Sequence, residues 1–94
     1  MRLVFRAEAS ADLRKIAAST RIAWGEGQAK RYGSALRNEI KSLAKFPLRY
    51  PEFEPRPGLR RMNSGRHAVI YLVQDDQIEF IRVLHVASDL WRWV

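Results

Sequence analysis

The side chains in this chain best suited to chemistry are arginines and two histidines. Three short runs carry them: Leu59-Arg60-Arg61, Gly65-Arg66-His67 and Ile81-Arg82-Val83-Leu84-His85. If these runs are adjacent strands, Arg60, Arg61, Arg66 and Arg82 gather on one sheet and its rim. Planar guanidinium groups there could clamp a phosphate, or the carboxylates of an acidic partner segment. A plainer reading stands beside each. Arg60, Arg61 and Arg66 flank a turn and can simply be solvated. Arg82 shares strand parity with Phe80 and Leu84, and an arginine on an apolar face needs an anion. That anion is either a bound ligand or an internal carboxylate, and the internal ion pair is the favoured reading. His67 and His85 are the only histidines. A histidine at a strand end is more often a hydrogen-bonded structural group than a general base, so the pair does not by itself define a catalytic site.

Other chemistries lack their residues. With no cysteine there is no disulfide, no thiolate zinc site and no cysteine nucleophile. No H-E-x-x-H pattern occurs, so no metal and no cofactor are expected. Gly25-Glu26-Gly27 lies between two helical stretches rather than after a strand, which removes it as a phosphate loop. Tyr71 sits mid-strand and reads as core, and Trp24 reads as core on the first helix. Trp91, Arg92 and Trp93 near the C-terminus place two large rings two residues apart. They would either dock on the sheet or project as an aromatic anchor for a partner.

The elements that position these groups follow from periodicity. Leu3-Val4-Phe5 suits a short strand. Ser10 stands where a helix N-cap would be, with Asp12 in the first turn. Leu13, Ile16, Ala17, Thr20, Ala23 and Trp24 then recur at helical spacing, with Ile22 off the stripe. Gly25 and Gly27 end this helix. A second one carries Ala29, Tyr32, Gly33, Leu36, Ile40, Leu43 and Ala44 on one face, and stops near Phe46 because Pro47 disfavours helix before it. All four prolines fall in PLRYPEFEPRPG, which reads as a loop of about a dozen residues. Leu59 to Met62 forms a short strand and Asn63-Ser64-Gly65 a turn. HAVIYLV (67–73) is the continuous apolar run of a strand covered on both faces or central in its sheet, and Ile78 to Leu84 forms the last strand after a turn at Asp75-Asp76. The expected order is β-α-α-β-β-β, an α+β fold in which an N-terminal strand and a helical hairpin pack on a small antiparallel sheet.

Size and charge bound the rest. Ninety-four residues make one domain, 1–94, with no repeats or linker and too small for a deep two-domain cleft. Seventeen Lys and Arg against ten Asp and Glu give a net charge of +7, which favours an anionic partner, nucleic acid or an acidic protein segment, over a merely basic surface. No apolar run approaches the ~18 residues of a membrane span, and the N-terminal residues do not read as a secretory signal. The absence of cysteine fits a reducing cytoplasm.

Taken together, GLRRMNSGRHAVIYLV, then IEFIRVLH, with ADLRKI, a Trp-Gly turn, QAKRYGSAL and a LAKFP helix end, resemble the ParE branch of the RelE/ParE toxin superfamily. The likeness spans nearly the whole chain. Its most specific pieces are Arg66-His67 before an Ile-Tyr strand and the Arg82-Val83-Leu84-His85 ending. The resemblance implies a growth-inhibiting, plasmid-stabilising toxin of a type II toxin–antitoxin system. Such toxins inhibit DNA gyrase by binding rather than by catalysis, and reach operator DNA only through their antitoxin. An acidic ParD-like antitoxin would wrap the toxin, with Arg60, Arg61, Arg66 and Arg82 as its site. Trp91, Arg92, Trp93 and the exposed helical face would contact gyrase. The other branch, similar to RelE, cuts ribosome-bound messenger RNA. Here that would require His85 and His67 as acid and base, with Arg60, Arg66 and Arg82 around the phosphate. The tail beyond His85, VASDLWRWV, contains no Tyr, a departure from that branch's pattern.

Overall fold

The structure, a computed structural model, describes residues 1–52, 56–88 and 92. In chain order it contains β1 (Arg2–Phe5), α1 (Ala7–Trp24), α2 (Glu26–Ser42), β2 (Leu59–Ser64), β3 (His67–Val73) and β4 (Gln77–His85). The expected order of elements is found. The sheet runs β1-β4-β3-β2 and is mixed rather than purely antiparallel. β2, β3 and β4 form an antiparallel meander, while β1 joins the far side of β4 in parallel, with Leu3 opposite Ile78 and Phe5 opposite Phe80. The helical hairpin carries the chain from β1 to the opposite edge of the sheet, and the meander then walks back. β4 therefore arrives beside β1 pointing the same way.

Three helix boundaries differ from the sequence reading, the last being that α2 ends at Ser42, with residues 43–45 in a turn rather than helix continuing to near Phe46. α1 starts at Ala7, a turn before Ser10, with Arg6 as a cap that makes no side-chain hydrogen bond. Ser10 is thus inside the helix. The first-turn carboxylate is Glu8, and Asp12 lies a turn deeper. Gly25 separates the helices at φ +84°, a left-handed backbone that only glycine adopts without strain. One residue suffices for the reversal, and α2 begins at Glu26.

Between the helices and the sheet, Ala9, Ile16, Leu36, Ile40, Leu43, Met62, Val69, Tyr71, Ile78, Phe80 and Val83 form the main core. Leu59, Ala68, Ile70, Ile81 and Leu84 form a second buried cluster. β3 alternates between the two, so the unbroken run Ala68-Val69-Ile70-Tyr71 is fully buried. β4 does not alternate evenly. Ile70 pairs with Arg82 and Tyr71 with Phe80, leaving Ile81 as the extra residue of a β-bulge. The bulge re-phases the strand, so Phe80 and Val83 belong to one core and Leu84 to the other. Strict alternation had placed Phe80, Arg82 and Leu84 on one face.

Candidate partner-binding site

A buried ion pair lies beside the bulge in β4. Arg82 donates from Nε to Asp12 Oδ2 and from a terminal nitrogen to Asp12 Oδ1, both at 2.8 Å. The Val83 N–H donates to the same Asp12 Oδ2 at 2.9 Å. One carboxylate therefore neutralises the guanidinium and satisfies an amide beside the bulge. Asp12 retains 8% of its side-chain exposure and Arg82 18%. Hydrogen bonding to Asp12 raises the Arg82 pKa further above its ordinary value, against the opposing effect of burial. The anion that the sequence demanded for Arg82 is thus internal. Its signal was available: Asp12 occupies the buried stripe Ala9–Asp12–Ile16–Thr20 of α1, a carboxylate on an apolar helix face matching an arginine on an apolar strand.

The other expected cations are dispersed. Arg60 and Arg61 are consecutive on β2, an edge strand. Arg60 donates to the Tyr50 carbonyl at 2.6 Å, pinning the proline-rich loop, and Arg61 donates from Nε to Asn63 Oδ1 at 2.9 Å. Register places Arg61 and Arg82 in one row on either side of Ile70. Arg66 lies apart, exposed in the β2–β3 turn. Arg92 is exposed, while Trp91 and Trp93 lie outside the described residues.

Both histidines do meet. His67 and His85 face each other across the β3–β4 ladder, their rings edge-to-face at 5.7 Å between centroids. The Tyr32 hydroxyl lies 2.5 Å from His67 Nδ1 and 3.3 Å from the Ser64 carbonyl, and accepts the Arg66 N–H at 3.0 Å. The Ala87 N–H donates to His85 Nδ1 at 3.0 Å, so neutral His85 carries its proton on Nε2. Burial lowers the His67 pKa, and the nearby charges of His85 and Arg66 lower it further. His67 is therefore neutral at pH 7. Rings in edge-to-face contact leave no space between them for a phosphate, which an in-line acid–base pair would have to flank.

Sequence reasoning missed the assembly around Tyr32. Trp24 is not core: it is half-buried at the end of α1, with Tyr32 edge-on at 5.5 Å and the Arg66 guanidinium over its ring at 5.0 Å. Gly65 makes this possible. At φ +58° it takes a left-handed turn, and a Cβ there would lie 2.7 Å from the Tyr32 ring. The signal was weak, since Tyr32 and Trp24 both sit on helical stripes where core is the simpler reading.

Among the described residues, no helix is long and apolar enough to cross a membrane, and no group of three or more His, Cys, Asp or Glu could hold a metal ion.

Comparison with known proteins places this geometry. Residues 3–90 match the family model described as the ParE toxin of the type II toxin–antitoxin system parDE. The chain is 40% identical over 78 residues to Toxin ParE1 of Caulobacter vibrioides, covering 82% of this chain and 80% of that protein. It is 35% identical over 86 residues to Toxin ParE1 of Mycobacterium tuberculosis, covering 89% and 88%. The fold is similar to a chain of the chromosomal ParDE system from P. aeruginosa, with TM-score 0.79, 20% identity, and coverage of 92% of this chain and 96% of that one. A more distant likeness is to the RelBE2 toxin–antitoxin complex of M. tuberculosis, at TM-score 0.56 and 22% identity over 89% and 95%.

Proposed function

Because this chain belongs to the ParE toxin family of type II toxin–antitoxin systems, we propose that it inhibits DNA gyrase by direct binding in the cytoplasm and is neutralised by an acidic, ParD-like antitoxin. The observation that carries the non-enzymatic reading is the state of the two imidazoles. His67 is buried, neutral and bonded to Tyr32, and its ring is packed against His85 rather than standing opposite it across a site. The arginines point the same way. Arg82 is held by Asp12 and Arg60 by the Tyr50 carbonyl, so they serve the fold before any substrate.

The antitoxin contact is assigned to the arginine-bearing side of the sheet. Edge strand β2 presents Arg60 and Arg61 and leads into Arg66, and an acidic segment running along that edge would meet all three. Arg82 would contribute only through the part of its guanidinium that Asp12 leaves accessible. Gyrase is assigned to Trp91, Arg92 and Trp93, together with the outward face of α1, where Ile22 is 88% exposed. A purified supercoiling assay tests the target: added toxin should block supercoiling by gyrase, and stoichiometric antitoxin should restore it. Normal supercoiling at saturating toxin refutes the gyrase reading.

One observation favours a second reading. The fold does bring His67 and His85 together, with Arg66 next in sequence to His67. A ribosome-dependent messenger RNA endonuclease would use those groups with Arg60 and Arg82. It predicts cleaved transcripts on toxin expression, abolished by His85→Ala.

A further inference from the structure

A groove of about 630 Å³ opens where the turn between α1 and α2 meets the turn between β2 and β3, lined by Trp24, Gln28, Arg31, Tyr32, Gly65 and Arg66. Two of these six residues are cationic and none is acidic. Ion pairs among the described residues lie elsewhere, at Arg6–Glu79 and Arg82–Asp12. The hydrogen bonds of Arg66 are made by its backbone: its N–H donates to Tyr32 and its carbonyl accepts the Val86 N–H at 2.9 Å. Its guanidinium instead lies over the Trp24 indole, with Cζ 5.0 Å from the ring centroid. A cation–π contact of that kind restrains an arginine side chain while leaving its N–H groups to an oxyanion.

The two cations come from different elements, whose backbones are tied together through Tyr32. Arg31 is on α2 next to Tyr32, and the Tyr32 hydroxyl fastens the turn that carries Arg66. Close approach at Gly65 requires the absence of a side chain there. The groove thus combines two arginines from separate elements with an aromatic surface and an amide, Gln28, at the wall. A loose basic surface needs none of these features. Phosphate recognition uses the first, base stacking the second, and hydrogen bonding to a base edge the third.

We propose that this groove binds a nucleotide, with phosphate oxygens on Arg66 and Arg31 and the base against the aromatic surface of Trp24 and Tyr32. The ligand is either a free nucleotide or an unstacked unit of a single strand, since both present the same phosphate and ring. The site does not use His85 and is independent of the gyrase reading.

The test follows the Trp24 indole N–H and the Arg66 and Arg31 Nε–H resonances in the isotopically labelled full chain at constant ionic strength. Deoxythymidine monophosphate should shift all three, and inorganic phosphate or thymidine alone should bind about tenfold or more weakly. A tetrathymidylate that binds at least about tenfold tighter than the monophosphate identifies a strand as the source, and equal affinity identifies the free nucleotide. Arg66→Ala and Arg31→Ala, on two separate elements, should each weaken binding about tenfold with unchanged melting. Arg14→Ala, an exposed arginine on α1, should leave binding unchanged. Absence of shifts at Trp24 with millimolar nucleotide, or equal weakening by Arg14→Ala, overturns the proposal.

Discussion

Replacing Asp12 by alanine should be among the most damaging single substitutions on α1. The carboxylate makes three hydrogen bonds of 2.8, 2.8 and 2.9 Å, two to a guanidinium and one to the Val83 amide. Truncation removes the Asp12 carboxylate from Arg82, at 18% side-chain exposure, and removes the acceptor of the buried Val83 N–H. Opposite charges about 4 Å apart interact by roughly 4 kcal/mol at an effective dielectric of about 20. Breaking one side of a buried pair costs about 3–5 kcal/mol. A domain of this size has a stability of about 5–15 kcal/mol, so the loss is a large fraction of the whole. Urea denaturation of the free toxin measures it. A companion pair decides the mechanism. Asp12→Leu combined with Arg82→Met removes both charges and refills the space, and should recover most of the stability lost by Asp12→Ala. If Asp12→Ala costs less than about 1 kcal/mol, or the double variant is no better than the single one, the pair is not the internal lock described here. The double variant also isolates function. If its antitoxin affinity is normal, Arg82 is a structural residue and the antitoxin reads Arg60, Arg61 and Arg66.

Other outcomes follow from the Tyr32 assembly. Burial, His85 and Arg66 depress the His67 pKa below its ordinary 6.5, so around and below that pH the unfolded chain binds the extra proton first. Stability contributed by neutral His67 is therefore complete above about pH 6.5 and declines as pH falls through the depressed folded value. Denaturation midpoints across pH 5–8 should show this slope, and His67→Asn should flatten it. Gly65→Ala must place a methyl 2.7 Å from the Tyr32 ring at φ +58°, and should cost about 1–3 kcal/mol in the same urea assay. Tyr32→Phe removes the acceptor of the Arg66 N–H and the partner of His67. It should cost about 1–3 kcal/mol and broaden the amide signals of residues 64–67 in NMR spectra.

Local patterns made most of the architecture legible. Alternation, apolar runs and glycine placement located the six elements because each reports on a short stretch of chain. HAVIYLV read as covered on both faces or central in its sheet, and β3 is an interior strand buried from His67 to Tyr71. Three features were not legible for one shared reason: each depends on contacts between residues far apart in sequence. β1 pairs in parallel with β4 at a separation of about 75 residues, which no local pattern encodes. The bulge at Ile81 shifts strand parity by one, and nothing in IEFIRVLH distinguishes a bulged strand from a regular one. Trp24 has the spacing of a core residue, and only the approach of the β2–β3 turn shows that its ring is part of a surface groove. The site residues divide in the same way. That Arg82 needs an anion followed from its apolar neighbours. That the anion is Asp12, and that Arg66 rather than Arg82 is the outward-facing cation, required the fold.

The disposition of the arginines bears on how such a small chain combines stability with recognition. A domain of 94 residues has a modest core, and here the proposed binding residues and the structural ones are the same type on the same sheet. Arg60 and Arg82 are tied to the backbone of the proline-rich loop and to α1 respectively. A partner's carboxylates would therefore meet guanidinium groups whose planes are already fixed, and would lose less side-chain freedom on binding than they would against solvated lysines. This makes Arg→Lys informative. Arg60→Lys retains the charge and a donor group but loses the planar fork. If pre-organisation is what the antitoxin reads, Arg60→Lys should weaken the complex mainly through faster dissociation, with little change in association rate, because the long-range field is unchanged. Unchanged association and dissociation rates, seen in surface plasmon resonance, would show that net charge rather than geometry recruits the partner.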